Sequence, residues 1–175
     1  ALGIYARADG IQLRLTAKSE SRKEAEEMIA QGETGIRAAL GDYIWGTDND
    51  TMERLIARLL IKKGLSLAIM EDYSGGWLSA SISDTPESLT FFKGGLVACS
   101  SDAKTAFGID AEVISHYGAA SPEVAQAMAE AVRTWLRADI GVGITGVEET
   151  KARPTDMVYI SIAKGKSSRA ISWAI

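Results

Sequence analysis

The residues best suited to chemistry stand in four stretches: Glu71-Asp72-Tyr73-Ser74-Gly75-Gly76, Ser88, the run from Cys99 to Lys104, and Thr145-Gly146. The first follows an apolar run, Leu65 to Met70, and precedes a segment of helical character. Glycines there let backbone N–H groups approach a ligand, and a helix start adds partial positive charge, so a phosphate or carboxylate suits such a turn. Gly-Gly turns that bind nothing are the commoner case. Glu71 either orients a hydroxyl or amide of a ligand or caps the turn. Cys99 precedes Lys104, and a neighbouring ammonium makes a thiol a better nucleophile. The competing reading is a buried strand cysteine that only packs. Lys104 is a candidate base, or a surface lysine at a helix start. His116 is the only histidine, so nothing in the sequence anchors a Ser-His-Asp triad on it. No cluster of His, Cys or spaced carboxylates appears, so neither a metal nor a cofactor is expected.

The elements that must position these residues can be read from periodicity. Ile11, Leu13, Leu15 and Ala17 alternate with polar residues, as in a half-buried strand. A helix follows, with Ser21 and Glu24 at capping-box spacing and Ala25, Met28, Ile29, Ile36 and Leu40 on one face. Gly32 and Gly35 weaken its middle. Residues 1–46 thus read as a small partial α+β unit, expected to be the tail of a larger domain whose start is missing.

A second helix is expected after Thr47-Asp48-Asn49-Asp50, with Asp50 and Glu53 at capping spacing and Gly64 as its stop. Strands are expected at Leu65 to Met70, Gly95 to Cys99, Ile140 to Thr145, Met157 to Ala163 and Ala170 to Ala174. Helices are expected at Trp77 to Ile82 and Asp102 to Phe107. The clearest helix begins at Ser121, with Pro122 at its first position and Val124, Met128, Val132, Trp135 and Leu136 on its buried stripe. Helices alternating with apolar strands imply a layered α/β domain over residues 47–175.

Composition narrows the function class. The chain has 175 residues, 46% of them hydrophobic, which is enough for a real core. Its net charge of −4 and scattered cations argue against direct nucleic-acid binding. No apolar run is long enough to cross a membrane as a helix. Cys99 is the only cysteine, so no intrachain disulfide can form, and the start lacks signal-peptide character. A cytoplasmic setting is expected.

The order of motifs resembles the C-terminal amidase domain of the CinA (competence/damage-inducible) family. Glu71-Asp72-Tyr73-Ser74-Gly75-Gly76 stands where that family has Glu-Ser-Cys-Thr-Gly-Gly. Asp84-Thr85-Pro86, Phe92-Lys93-Gly94-Gly95, Cys99-Ser100-Ser101-Asp102-Ala103-Lys104, Gly108-Ile109, His116-Tyr117-Gly118-Ala119-Ala120-Ser121 and Thr145-Gly146 follow in the family's order. The resemblance covers about residues 47–163. Leu13 to Ala17 and Gly41-Asp42-Tyr43 resemble the connector that precedes the domain. It implies a three-layer α/β/α sandwich, a homodimer or higher oligomer, and a role in NAD salvage. The implied reaction is hydrolysis of nicotinamide mononucleotide to nicotinic acid mononucleotide and ammonia. The implied chemistry is a serine nucleophile activated by a Tyr and a Lys.

The chain departs from that pattern where the chemistry lies. The nucleophile position, third after Pro86, is Leu89, and Ser88 can serve only with a shifted alignment. The activating Tyr position holds Cys99, and Lys104 alone of the trio is retained. Glu148-Glu149-Thr150 replaces a small nucleotide-contacting loop, and carboxylates there disfavour a phosphate. The family's closing helix is absent, which implies either oligomer contacts over the uncovered sheet or a truncated chain. A degenerate catalytic site is therefore expected, with Glu71, Ser74, Gly75, Gly76, Thr145 and Gly146 as ligand-binding candidates. The alternatives are a non-catalytic nucleotide-binding or oligomerisation module and, third, a nucleic-acid-associated module.

Overall fold

The computed structural model describes residues 1–7, 10–48, 50–147, 157–165 and 167–174. The Glu148-Glu149-Thr150 replacement lies outside the described residues. The chain divides into two compact units, Ala1–Asp50 and Thr51–Ile175.

The first unit contains a hairpin, not a lone strand. Strand β1 (Leu2–Arg7) pairs antiparallel with β2 (Gly10–Leu15). The register sets Leu2 opposite Leu15, Ile4 opposite Leu13 and Ala6 opposite Ile11. Directly opposed residues share a face, so one face is wholly apolar. Helix α1 (Arg22–Leu40) is capped by Ser21, whose hydroxyl accepts from the Glu24 N–H at 3.2 Å. The Glu24 carboxylate accepts from the Ser19 hydroxyl, outside the reciprocal bond of a capping box. Gly32 faces Leu15: a Cβ there would lie 3.2 Å from Leu15 Cδ2. The glycine that weakens the helix also lets it close on the hairpin. No described residue of this unit is fully buried.

The second unit is the layered α/β domain. Helix α2 (Met52–Lys63) is capped by Thr51, not Asp50: the Thr51 hydroxyl accepts from Arg54 N–H at 3.3 Å. Asp50 instead accepts from Thr47 N–H. Gly64, at φ 62°, ends the helix in the left-handed region that costs glycine least. Strand β3 (Leu67–Glu71) follows, then helices α3 (Trp77–Ser83) and α4 (Ser88–Phe91), then β4 (Phe92–Val97). Next come α5 (Ser101–Ala106), α6 (Ala111–Tyr117), α7 (Pro122–Trp135), β5 (Ile140–Val147), β6 (Met157–Lys164) and β7 (Ser167–Ala174).

The strand order is β4-β3-β5-β6-β7. β3 runs parallel to both β4 and β5, while β6 and β7 continue as an antiparallel meander. Every residue of β3 is buried, as a central strand covered on both faces requires. Its alternation divides the core in two. Ala68 and Met70 pack with Ile109, Ile114, Val124, Met128 and Val132, from α6, α7 and the segment before α6. Leu67 and Ile69 pack with Ala57, Leu60, Ile82 and Phe91, from α2, α3 and α4. Each of the larger side chains among these contributes about 1.5–3 kcal/mol. The layers are therefore α/β/α.

Helix α7 lies unusually close to β5. It starts at Ser121, whose hydroxyl accepts from Val124 N–H, with Pro122 in the first turn. A Cβ on Gly141 would lie 2.0 Å from the Ala129 carbonyl oxygen, and one on Gly143 would lie 2.2 Å from that of Ala125. Only glycine permits that approach. Among the described residues, no helix is long and apolar enough to cross a membrane.

Candidate functional site

β3, β4 and β5 run parallel, so their carboxyl ends meet at one rim. Glu71 closes β3, Cys99 lies just beyond β4, and Thr145 sits near the end of β5. Ligands of doubly wound sheets bind at such rims. Two separate polar clusters occupy this one.

The first is centred on Glu71, which is fully buried. One carboxylate oxygen accepts from the Ser74 hydroxyl at 2.6 Å and from Leu78 N–H at 2.9 Å. The other accepts from Ser79 N–H at 2.8 Å and from the Ser79 hydroxyl at 2.5 Å. Leu78 and Ser79 stand in the first turn of α3, and the residue before that helix, Gly76, has no side chain with which to cap it. Glu71 therefore caps α3 from the strand. Burial alone would push its carboxyl up. The hydrogen bonds from Ser74, Ser79 and Leu78 outweigh burial and hold it below its ordinary value. Gly75 and Gly76 take positive φ values, 59° and 96°, that make the turn. The helix-start donors that a phosphate or carboxylate would use are thus engaged by Glu71.

Gly95 supports this cap from the neighbouring strand. A Cβ there would lie 2.1 Å from Ser79 Oγ. Gly95→Ala is expected to push Ser79 off Glu71 and lower unfolding stability by about 2 kcal/mol. A urea midpoint equal to that of the parent chain would refute this.

The second cluster is centred on Asp72. Lys104 Nζ lies 2.6 Å from Asp72 Oδ2 and donates to the Ala119 carbonyl at 2.9 Å. The Thr145 hydroxyl lies 2.9 Å from the same Asp72 oxygen and 3.1 Å from the same carbonyl. With one proton, it donates to one of them at a time. Lys104 and Thr145 are fully buried, while the Asp72 side chain keeps 16% of its surface. Lys104 is therefore no surface lysine. The ammonium spans three segments: the end of β3, helix α5 and the loop before α7. Cys99 is exposed and lies outside the strand, contrary to the packed-cysteine reading. β4 ends at Val97 because the chain turns there toward the cap of α5 at Ser100. Cys99 Sγ lies 3.7 Å from the Asp72 carbonyl oxygen.

The remaining candidates lie elsewhere. Ser88 is buried and donates to the Ser83 carbonyl at 2.9 Å. Leu89 is 97% exposed. Both belong to α4, before the amino end of β4, whereas Cys99 and Lys104 follow its carboxyl end. A strand of this length spans about 20 Å. One chain does not bring Ser88 or Leu89 together with Lys104. Gly146 is packed against Tyr73, where a Cβ would lie 2.9 Å from the ring. His116 sits in the last turn of α6, edge-on to Tyr117. Asp72 itself was missed in the sequence as a site residue, because its partner lies 32 positions away.

A cleft of about 270 Å³ opens at the opposite end of the strands, lined by residues that include Leu60, Ser66, Phe91, Lys93 and Asp139. Hydrogen bonds from the Ser66 hydroxyl and N–H hold the Asp139 carboxyl below its ordinary value. None of the candidate residues of the carboxyl rim lines that cleft, and the chemistry is better placed at the rim.

Comparison with known proteins gives a consistent result. Residues 49–174 match the model of the CinA C-terminal domain, and residues 1–46 match that of the damage-inducible protein CinA KH domain. A Moorella thermoacetica protein named as competence-damage inducible is 41% identical over 92% of this chain and 40% of its own length. A CinA-like protein of Dictyoglomus thermophilum is 37% identical over 90% of this chain and 40% of its own. The chain thus spans about two fifths of the relatives it matches. A competence or damage-inducible protein structure from Enterobacter asburiae superposes with a TM-score of 0.66 at 25% identity, covering 73% of this chain and 85% of that one. A CinA superfamily structure from Escherichia coli, at 22% identity, shows the same fold with a TM-score of 0.66 over 78% of this chain and 85% of its own.

Proposed function

The chain belongs to the CinA family, and from that premise we propose that its C-terminal domain is a nicotinamide-nucleotide amidase-like domain that has kept the fold and lost efficient turnover. The observation that carries this reading is the state of Lys104, the one retained member of the implied trio. It is buried and held by Asp72 at 2.6 Å and by the Ala119 carbonyl at 2.9 Å. A lysine must present a free lone pair to take a proton from a nucleophile, and an ammonium fixed by a carboxylate acts as a donor. Leu89 offers no nucleophile, and the Ser88 hydroxyl is engaged by the Ser83 carbonyl at the end of α3. The second reading, a nucleotide-binding or oligomerisation module, draws on the same features.

A partner role without direct nucleic-acid contact is supported by the net charge of −4. It is also supported by Gly32-Glu33-Thr34-Gly35. KH modules clamp a nucleic-acid backbone with a Gly-x-x-Gly loop. Here that sequence runs inside continuous helix α1, with Glu33 paired to Arg37 at 2.8 Å. A cytoplasmic location completes the proposal.

The test is ammonia release from nicotinamide mononucleotide by the unaltered chain and by Leu89→Ser. The unaltered chain is expected to release at least about a hundredfold less ammonia than an enzyme turning over at a typical ~10 per second. Turnover at that typical rate, abolished by Lys104→Ala, would overturn the degenerate-site reading.

A further inference from the structure

Two buried donors, the Lys104 ammonium and the Thr145 hydroxyl, converge on a single carboxylate oxygen, at 2.6 and 2.9 Å. Both donors are supplied by the scaffold. Lys104 is fixed by α5 and by the Ala119 carbonyl, and Thr145 by strand β5. The acceptor is different in kind. Asp72 lies just past the end of β3, and of the three side chains in the cluster it is the one that reaches solvent. Its backbone is held independently, with its N–H donating to the Ile144 carbonyl and its carbonyl accepting from Gly75 N–H.

The geometry points to a carboxylate-binding site formed by Lys104 and Thr145, which Asp72 fills in the free chain and which a ligand's carboxylate enters by displacing the Asp72 side chain. The class of ligand follows from what surrounds the donors. The Ala119 carbonyl oxygen lies within 3.1 Å of both. It leaves room for one charged oxygen and repels a second placed alongside. A carboxylate can present one oxygen and turn the other away, and the Asp72 side chain, bound through Oδ2, keeps 16% of its surface exposed. A phosphate, with its oxygens arranged tetrahedrally, brings more negative charge against that carbonyl. The acid product of amide hydrolysis carries such a carboxylate, a link that rests on the amidase reading. The contact also acts as an internal lid: any ligand must compete with a tethered carboxylate at high effective concentration.

The experiment removes the tethered carboxylate and supplies a free one. Acetate has the size and charge of the excised Asp72 side chain. In Asp72→Gly, the stranded ammonium is expected to lower the thermal midpoint. Replacing 0.2 M chloride by 0.2 M acetate at constant ionic strength is expected to raise it again by about 5 °C, by binding the folded state alone. Asp72→Asn fills the same space and is expected to show no acetate response. Asp72→Gly combined with Lys104→Met strands no charge, and is expected to fold and ignore acetate. An equal response to inorganic phosphate would overturn the carboxylate assignment. So would an Asp72→Gly chain that ignores acetate, or that stays unfolded in it while the double variant folds. The readout uses no nucleotide, so its failure and the failure of the amidase reading are separate results.

Discussion

Gly143→Ala is expected to destabilise the C-terminal domain by about 3 kcal/mol or more, lowering the thermal midpoint by roughly 6–12 °C for a unit of this size. The added Cβ would stand 2.2 Å from the Ala125 carbonyl oxygen, 2.6 Å from Ala129 N and 2.9 Å from Met128 Cβ. Two of these are backbone atoms of α7, which cannot rotate away as a long side chain can. Relief requires the helix to move off β5 by about an ångström, and that opens the packing of Val124, Met128 and Val132 against β3. Calorimetry or a urea titration measures it directly. Gly35→Ala serves as the contrast: nothing lies within 4 Å of its added Cβ, and alanine should stabilise helix α1 by up to about 1 kcal/mol. Equal midpoints for the Gly143→Ala and parent chains would mean that α7 does not depend on glycine at β5.

The second large effect is at Glu71. All four of its partners are donors, and a glutamine there has one acceptor oxygen and an amide that faces donors with donors. Glu71→Gln is expected to cost about 2–5 kcal/mol, because buried N–H and O–H groups lose their acceptor. The effect is pH-dependent with a definite sign. The folded-state value of Glu71 lies below the ordinary 4.5. Its contribution is therefore fully present above that value, and it is lost as the pH falls through the depressed folded-state value. Stability measured from pH 7 downward should fall more steeply for the parent chain than for Glu71→Gln, so the gap between them narrows in acid. A gap constant from neutral pH to below 3 would show that the carboxylate charge is not what holds α3.

Much of the architecture was legible because periodicity reports burial. The apolar run ending at Met70, the Ser121-Pro122 start and the stripe through Val132 each express one local rule, and each matches an element. Local rules failed where a neighbour in space decided the outcome. Strand β1 is short and mixed, and it is a strand because it pairs with β2. Helix α6 was not expected, although Asp110 caps it through the Glu112 N–H. Thr51 outcompetes Asp50 as a cap because the Asp50 carboxylate is used by Thr47. The site was legible by residue type but not by grouping. Glu71 and Lys104 stood out, yet only the fold assigns Glu71 to the start of α3 and Lys104 to Asp72. The separation of Leu89 from Lys104 is likewise a matter of strand direction, which spacing along the chain does not reveal.

The pairing of β3 with β5 also governs how the chain reaches this state. Leu67 meets Ile140, and the Ser66–Asp139 hydrogen bonds clamp the same joint across 73 positions of sequence. β5, β6 and β7 form a meander of consecutive strands, whose closure entropy is small. β3 emerges from a ribosome early and must keep one hydrogen-bonding edge unpaired until β5 has been made. Joining the two is thus the slow, non-local step of folding, and the waiting edge of β3 is where a nascent chain is most exposed to mispairing.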